Sequence, residues 1–499
     1  MELISSMKKI LKKSLWLFTG LLIVYLILLI PDSGSKTGLV KAGKRPFSWN
    51  RDELWQSMEK IFNVARQSPK ARSDSSLQRL KNIAEHELAF IQTKTLSAAD
   101  SNFILIENNF FNLAALVAAN PGDVTWFTGY YNRLRRHIKH QSQQWDMSDT
   151  GVKNSLYTLL YGMRAAVEEV LLQNDTLSIS PAMLVEPEKS VAPSTTIFGI
   201  EVHSGDILVS RGGAEVSALI SRGNDYPGNF SHVALIYIEQ KTNRPYLIEA
   251  HIEKGVATSS LDQYVKDKKL RFMVLRLRAD LPCVKSDSML PQKVAEIMYN
   301  TALSRHIPYD FKMNFHDTTA MFCSEVVSYA YGRNGVQLWQ NISTISSPGV
   351  VNWLQDFGVE NFVTQMPSDL EYDPQLTIVA EWRDPGTLFK DHIDNAAMDA
   401  LLEKANNGET IEYNRWKLPL IRIVKAYCWF QNLFGNTGII PEGMSATRAL
   451  KNQTFVAMHN AVKNKTEQMA AAFMKQHGYR APYWQLVKFA GEATKAARY

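Results

Sequence analysis

A histidine opens an apolar run at Ser231-His232-Val233-Ala234-Leu235-Ile236, and a cysteine opens a second run at Phe322-Cys323-Ser324-Glu325-Val326-Val327. These residue types are the parts of an activated thiol. An imidazole accepts a thiol proton, and the free N–H groups of a helix N-terminus favour the thiolate and offer a donor to an oxyanion. The polar stretch His316-Asp317-Thr318-Thr319 precedes Cys323, while Val326, Val327, Ala330 and Tyr331 fall on one helical face after it. The spacing therefore predicts a helix over 323–331 with Cys323 in its first turn and Gly332 available to end it. A small buried apolar residue is the bland reading of any cysteine. It suits Cys428, in Ala426-Tyr427-Cys428-Trp429-Phe430, and Cys283, after Pro282 in a turn, better than Cys323. With three cysteines in the chain, at least one stays free.

His232 starts a strand that is apolar on both faces, so its ring projects from the end of a sheet. The next strand, Tyr246-Leu247-Ile248-Glu249-Ala250, carries a carboxylate in apolar surroundings, and a buried carboxylate needs partners. A Glu249 that accepts from the imidazole would fix its tautomer and orientation, the third role of a triad. His251, on the same strand face, competes with His232 for the part of base. The chain has no His-Glu-x-x-His, no Gly-x-x-x-x-Gly-Lys loop and no dinucleotide glycine pattern, so no metal and no cofactor are expected. His137-x-x-His140 sits among Arg133, Arg135, Arg136 and Lys139. It reads as a solvated basic face, with contact to anionic lipid headgroups the alternative. The five Asn-x-Ser/Thr sites, Asn229 included, need no more than chance.

The elements that must position these residues follow from length and patterning. At 499 residues the chain exceeds one core, and 45% hydrophobic with 21% charged residues is ordinary for folded protein. The net charge of +6 is small and its basic residues are dispersed, which argues against a nucleic-acid partner. Residues 14–30 carry no charge, follow Lys8, Lys9, Lys12 and Lys13, and end at Pro31. The stretch is long enough for one membrane span, and no Ala-x-Ala site follows it. We expect an uncleaved anchor (residues 1–31) with a cytoplasmic N-terminus, although Lys36, Lys41, Lys44 and Arg45 after the span weaken the charge asymmetry. A linker (32–49) then leads to a helical N-terminal domain (50–185), opened by a capping box from Asn50 to Glu53. Strand-like segments begin near Pro193, and helical periodicity returns beyond Gly386. Phe455, Met458, Val462, Met469 and Phe473 mark one long helix that Gly478 caps.

The ordered set Gly205-Asp206-Ile207, Ser231-His232, Ile248-Glu249-Ala250 with Gly255-Val256, Pro308-Tyr309-Asp310-Phe311 and Phe322-Cys323-Ser324-Glu325 resembles the YiiX/YebB-like branch of the NlpC-type cysteine hydrolases. In these circularly permuted papain-like enzymes the histidine strand and its acidic partner come first and the nucleophile helix last, the order found here. The resemblance covers about residues 197–385. It implies an α+β, permuted papain-like core with an antiparallel sheet, flanked by the N-terminal helices and a helical C-terminal region (386–499). It also implies Cys323 as nucleophile, His232 as base and then acid, and Glu249 as orienting residue, with Tyr309, Asp310, Ser231 and Ser324 lining the substrate site. One departure is His306, which stands where a glycine is common two positions before the proline and would narrow or re-polarise the pocket.

Three readings follow. The first is a membrane-anchored thiol hydrolase cleaving an amide bond in a cell-envelope peptide, on the extracytoplasmic side of the inner membrane. The second is acyl transfer to or from lipids, because the wider superfamily includes lipid acyltransferases and phospholipases. The third is a binding module without catalysis.

Overall fold

The computed structural model describes residues 2–32, 52–174, 180–267, 269–434 and 438–496. An apolar helix, α1 (Glu2–Leu28), comes first. Its residues Leu11 to Ile27 are exposed throughout, and only Leu29, just past its end, is buried against the protein. Helices α2 (Glu53–Gln67), α3 (Lys70–Thr93), α4 (Ser101–Ala119), α5 (Val124–Gln141), α6 (Thr150–Leu156) and α7 (Met163–Leu172) follow, the last two joined by a π-helical turn. The expected capping box at Asn50 falls partly outside the described residues. Asp52 takes the N-cap place, its carboxylate accepting from the Trp55 N–H at 3.0 Å. Helix α4 is nearly as apolar as α1, but most of it is buried in the bundle. A core helix and an unburied one thus share one hydropathy signal.

The strands are β1 (Ala182–Leu184), β2 (Ser194–Ile197), β3 (Ile200–His203), β4 (Ile207–Gly212), then β5 (His232–Ile238), β6 (Pro245–His251), β7 (Gly255–Ser260) and β8 (Lys269–Leu277), with α8 (Glu215–Arg222) and α9 (Leu261–Lys266) between them. Next come α10 (Pro282–Ser286), α11 (Leu290–Ser304), α12 (Cys323–Gly332), β9 (Ser343–Thr344), α13 (Pro348–Phe357), β10 (Val363–Thr364) and β11 (Leu376–Trp382). The C-terminal helices are α14 (Pro385–Asn406), α15 (Leu418–Leu433), α16 (Ala446–His477) and α17 (Tyr483–Ala496). Seven strands form one antiparallel sheet in the order β1-β11-β8-β4-β5-β6-β7. Helices α11 and α12 cover one face over Val209, Val233, Leu235, Ile248 and Met273, and the β2–β3 hairpin covers part of the other over Leu208, Ala234 and Val274. The alternation along each strand, one residue to each layer, is the period-2 pattern that fixes this register.

A motif glycine holds α12 against the sheet. Gly205 adopts φ +92, its carbonyl accepts the Tyr331 hydroxyl of α12 at 2.6 Å, and a Cβ there would lie 2.3 Å from Pro291 of α11. Asp206, beside it, receives both Nε and Nη2 of Arg276 at 2.8 Å and the His203 N–H at 2.8 Å. We expect Gly205→Ala to cost about 2–3 kcal/mol through the forbidden φ and the overpacking. A urea titration should show a lower midpoint at unchanged slope.

The helical layers meet the sheet through buried charges. Glu168 of α7 pairs with Arg271 of β8, Arg383 after β11 and His392 of α14, and Asp391 of α14 pairs with Arg271 at 2.7 Å and Arg211 of β4 at 3.2 Å. Asp394 carries the chain of contacts to His459 and Lys463 of α16, at 3.4 and 2.9 Å. One apolar cluster likewise runs from α2–α7 through α8, α13 and α14 to α16 and α17.

Candidate active site

Cys323 is the first residue of α12 and only 5% exposed, and its thiol donates to the Ser231 carbonyl at 3.8 Å. The Pro308-Tyr309-Asp310 segment clamps the approach to it. Met321 N–H donates to the Pro308 carbonyl at 2.9 Å and Asp310 N–H to the Met321 carbonyl at 3.2 Å. The Asp310 carboxylate accepts from the N–H groups of Lys312 (2.8 Å) and Asn314 (2.6 Å), which shapes the turn leading away. Burial, with the Cys323 sulfur and Asp310 near it, holds the Tyr309 phenol well above its ordinary range, so it stays a neutral donor. Glu325 accepts from the Phe322 N–H at 2.7 Å, and burial, reinforced by Asp310 and Cys323, pushes its carboxyl up to about 9. The first turn of α12 therefore sets no second negative charge against a thiolate.

Strand register builds the other half. Ser210 of β4 pairs with His232, Leu235 of β5 with Ile248 of β6, and Glu249 of β6 with Ala257 of β7. His232, Glu249 and His251 thus gather at one corner of the sheet. His232 Nε2 lies 2.6 Å from Glu249 Oε2, which leaves Nδ1 for the thiol. The other oxygen, Oε1, accepts from Ser259 Oγ at 2.9 Å and lies 3.3 Å from His251 Nε2. Burial pushes the His232 imidazole down, but Cys323 and Glu249 outweigh it and raise it to about 9. Burial likewise raises the Glu249 carboxyl, and the two histidines overcome this and hold it well below the usual range. An imidazolium facing a cysteine, with a carboxylate behind it, is an arrangement that can activate a thiol.

A pH test follows from these charges. An imidazolium must give its proton to the leaving group, so acylation by a peptide anilide should fall on the alkaline side as His232 deprotonates near pH 9. Glu249→Gln removes one of the two raising groups and leaves Cys323. It should slow acylation by about 10²–10⁴-fold and move that limb toward the ordinary 6.5. An unmoved limb would take Glu249 out of the role. The stability linkage has the matching sign. The folded value lies above the unfolded one, so protonation stabilises the fold fully below pH 6.5, and this is lost as pH rises through about 9.

The structure brings Cys323, His232, Glu249, Tyr309 and Ser231 together. Ser231 and Ser324 are buried with hydroxyls that have no partner, and Ser324 is wholly covered within α12. His306 is exposed, its ring meeting Glu442 at 3.2 Å at the surface. His251 shares Glu249 with His232 without displacing it. Asn229 is buried. Sequence reasoning missed Ser259 and the neutral Glu325. Ser259 was findable, because Gly255-Val256-Ala257-Thr258-Ser259 opens with the motif pair and two-residue spacing carries Glu249's partner strand to it.

Residues 201–380 match the model of the family described as permuted papain-like amidase enzyme, YaeF/YiiX, C92 family. A crystal structure titled metalloprotein yiiX from Escherichia coli O157:H7 is similar at 22% identity, covering 36% of this chain and 97% of that chain with a TM-score of 0.30. No curated protein matches the chain. The resemblance read from the motifs therefore holds over the central segment, which carries the pattern of an amidase-type cysteine hydrolase. Among the described residues no group of three or more His, Cys, Asp and Glu side chains is placed to hold a metal ion. Glu249 turns opposite oxygens to its two histidines, which makes a hydrogen-bonded relay.

Proposed function

We propose that this chain is a membrane-anchored cysteine amidase that cleaves an amide bond in a cell-envelope peptide through Cys323, His232 and Glu249. The observation that carries the reading is the His232–Glu249 contact of 2.6 Å beside a thiol in the first turn of a helix. In the first half-reaction the Cys323 thiolate attacks the carbonyl carbon, and the carbonyl oxygen becomes an oxyanion held by a backbone N–H at the start of α12. The His232 imidazolium gives its Nδ1 proton to the amine as the C–N bond breaks, leaving a thioester. Water then loses a proton to His232 and attacks the thioester, and the acid and the thiol are released. Tyr309 and Asp310 shape the substrate side, with Ser231 and Ser324 beside the nucleophile.

The exposed apolar run Leu11–Leu28 supports the anchor, and the lysines ahead of it support an N-terminus inside the cytoplasm with the catalytic unit outside. The test is exposure of the full chain to labelled wall peptides and, separately, to labelled phospholipids. Label on the enzyme from peptide, with release of an amine, supports the amidase. Label from phospholipid alone would replace it with lipid acyl transfer.

A further inference from the structure

We propose that α15 is a second membrane contact, lying in the plane of the bilayer surface at the exit of α1 and holding the Cys323 site near the lipid headgroups. The inference rests on α1 being a membrane anchor. Leu420, Ile423, Tyr427 and Phe430, with Trp416 just before the helix and Phe434 at its end, recur every three or four residues and form a single stripe. Each is between 52% and 70% exposed. Off the stripe Leu418 and Cys428 are buried, while Trp429 there is also exposed, at 62%. Leu418 packs with Ala446 and Leu450, and Cys428 with Ile440 and Met444. Scattered exposed apolar side chains are normal, whereas a contiguous aromatic stripe marks a surface that something covers.

Its neighbour says what covers it. Arg422 of α15 donates to the carbonyls of Ile27 (3.3 Å), Leu28 (3.0 Å) and Ile30 (2.6 Å) and to Asp32 (3.1 Å), and Arg415 donates to Leu29 (2.7 Å). The last carbonyls of a helix have no partners within it, so these two arginines fix the end of α1 onto α15. Wherever α1 leaves the hydrocarbon, α15 lies at that level. Sixteen residues reach about 24 Å, and with Arg422 and Lys425 among them α15 is too short and too charged to span. An apolar stripe flanked by Lys417, Arg422 and Lys425, with Trp416 and Tyr427 in it, has the composition of a helix at the interface.

The same helix reaches the site. Phe311 packs beside Cys428, Ile440 and Met444, a Cβ on Gly443 would meet its ring at 2.7 Å, and its ring lies 5.1 Å from that of Tyr309, the neighbour of Cys323. The cleft thus stands at a fixed height above the membrane, where it would meet substrates attached to that surface.

The experiment places an environment-sensitive fluorophore at Tyr427→Cys or Phe430→Cys in the full chain, reconstituted in phosphatidylcholine–phosphatidylglycerol vesicles. The background is Cys283→Ser and Cys323→Ser, Cys428 being too buried to label. Leu21→Cys reports on α1 and Glu201→Cys on water. The expected result is loss of most of the emission at both α15 positions with shallow nitroxide lipids, at about 5–10 Å below the headgroups, with deep quenching at Leu21 and none at Glu201. Unquenched α15 labels beside a quenched Leu21 would overturn the inference and leave the anchor standing. Deep quenching at both would make α15 a span and overturn the in-plane placement. No quenching at either would remove anchor and inference together.

Discussion

Cys323→Ser is expected to fold like the parent chain, form no acyl-enzyme and lose about 10⁴-fold or more in turnover. The substitution is nearly isosteric at a site only 5% exposed, where a hydroxyl can also make the hydrogen bond to the Ser231 carbonyl. Thermal stability should therefore fall only by the share of His232 protonation that Cys323 supports. The chemistry does not survive, because an imidazole raised to about 9 by Cys323 and Glu249 is matched to an ion pair with a thiolate. A serine hydroxyl is far too weak an acid to form that pair. Intact-mass measurement after exposure to envelope extracts reads the result directly, as an acyl adduct on the parent that is absent from the variant. Cys283→Ser and Cys428→Ser should keep the adduct, since Cys283 stands in the first turn of α10 without the His232–Glu249 pair beside it, and Cys428 is buried within α15. An adduct that persists in Cys323→Ser would move the nucleophile elsewhere and end the triad reading.

How far the sequence disclosed this site depends on what set each residue's place. His232 and Cys323 were legible because strand alternation and helix-start chemistry are local, and β5 and α12 begin on those residues. Glu249 was legible from one odd carboxylate in an apolar strand. The second partner of that carboxylate, Ser259, follows from the β6–β7 hairpin register that the Gly255-Val256 pair opens, and was overlooked. The neutral state of Glu325 depends on burial beside Asp310, which arises only from tertiary packing. The fold divides in the same way. The long helix capped at Gly478 was readable residue by residue, and the structure places it at Ala446–His477 with φ +76 at the glycine. The β2–β3 hairpin, α8 and α13 were missed, because short elements give weak periodicity. The basic stretch around His137 read as a solvated face, and the structure instead buries Arg135 against Glu381 and Lys139 on the carbonyls of Glu371 and Asp373, within a layer of charges between helices and sheet.

That layer carries the second large effect. Glu168 is fully buried and faces Arg164 at 3.5 Å, Arg271, Arg383 at 3.7 Å and His392 at 3.2 Å. Burial would raise its carboxyl, yet Arg271, His392 and Arg164 hold it well below the usual range, so it is charged in the folded protein. A buried pair contributes little beyond an apolar replacement, but removing one partner strands the other's charge. Glu168→Ala strands Arg271 and Arg383 in part, and we expect it to cost about 3–5 kcal/mol. Glu85→Ala deletes the partner of Arg133 where both side chains are more than 40% exposed, and it should cost under about 1 kcal/mol. The contrast carries information beyond stability. Arg271 of β8 adjoins Phe272, which pairs with Ser210, and Ser210 pairs with His232. Loosening that corner should also slow acylation of Cys323 at temperatures where the variant is still folded. Urea titration of both variants, with acylation rates taken well below the midpoint, separates the two effects. Equal midpoints for Glu168→Ala and Glu85→Ala would mean that apolar packing alone sets the corner on which His232 stands.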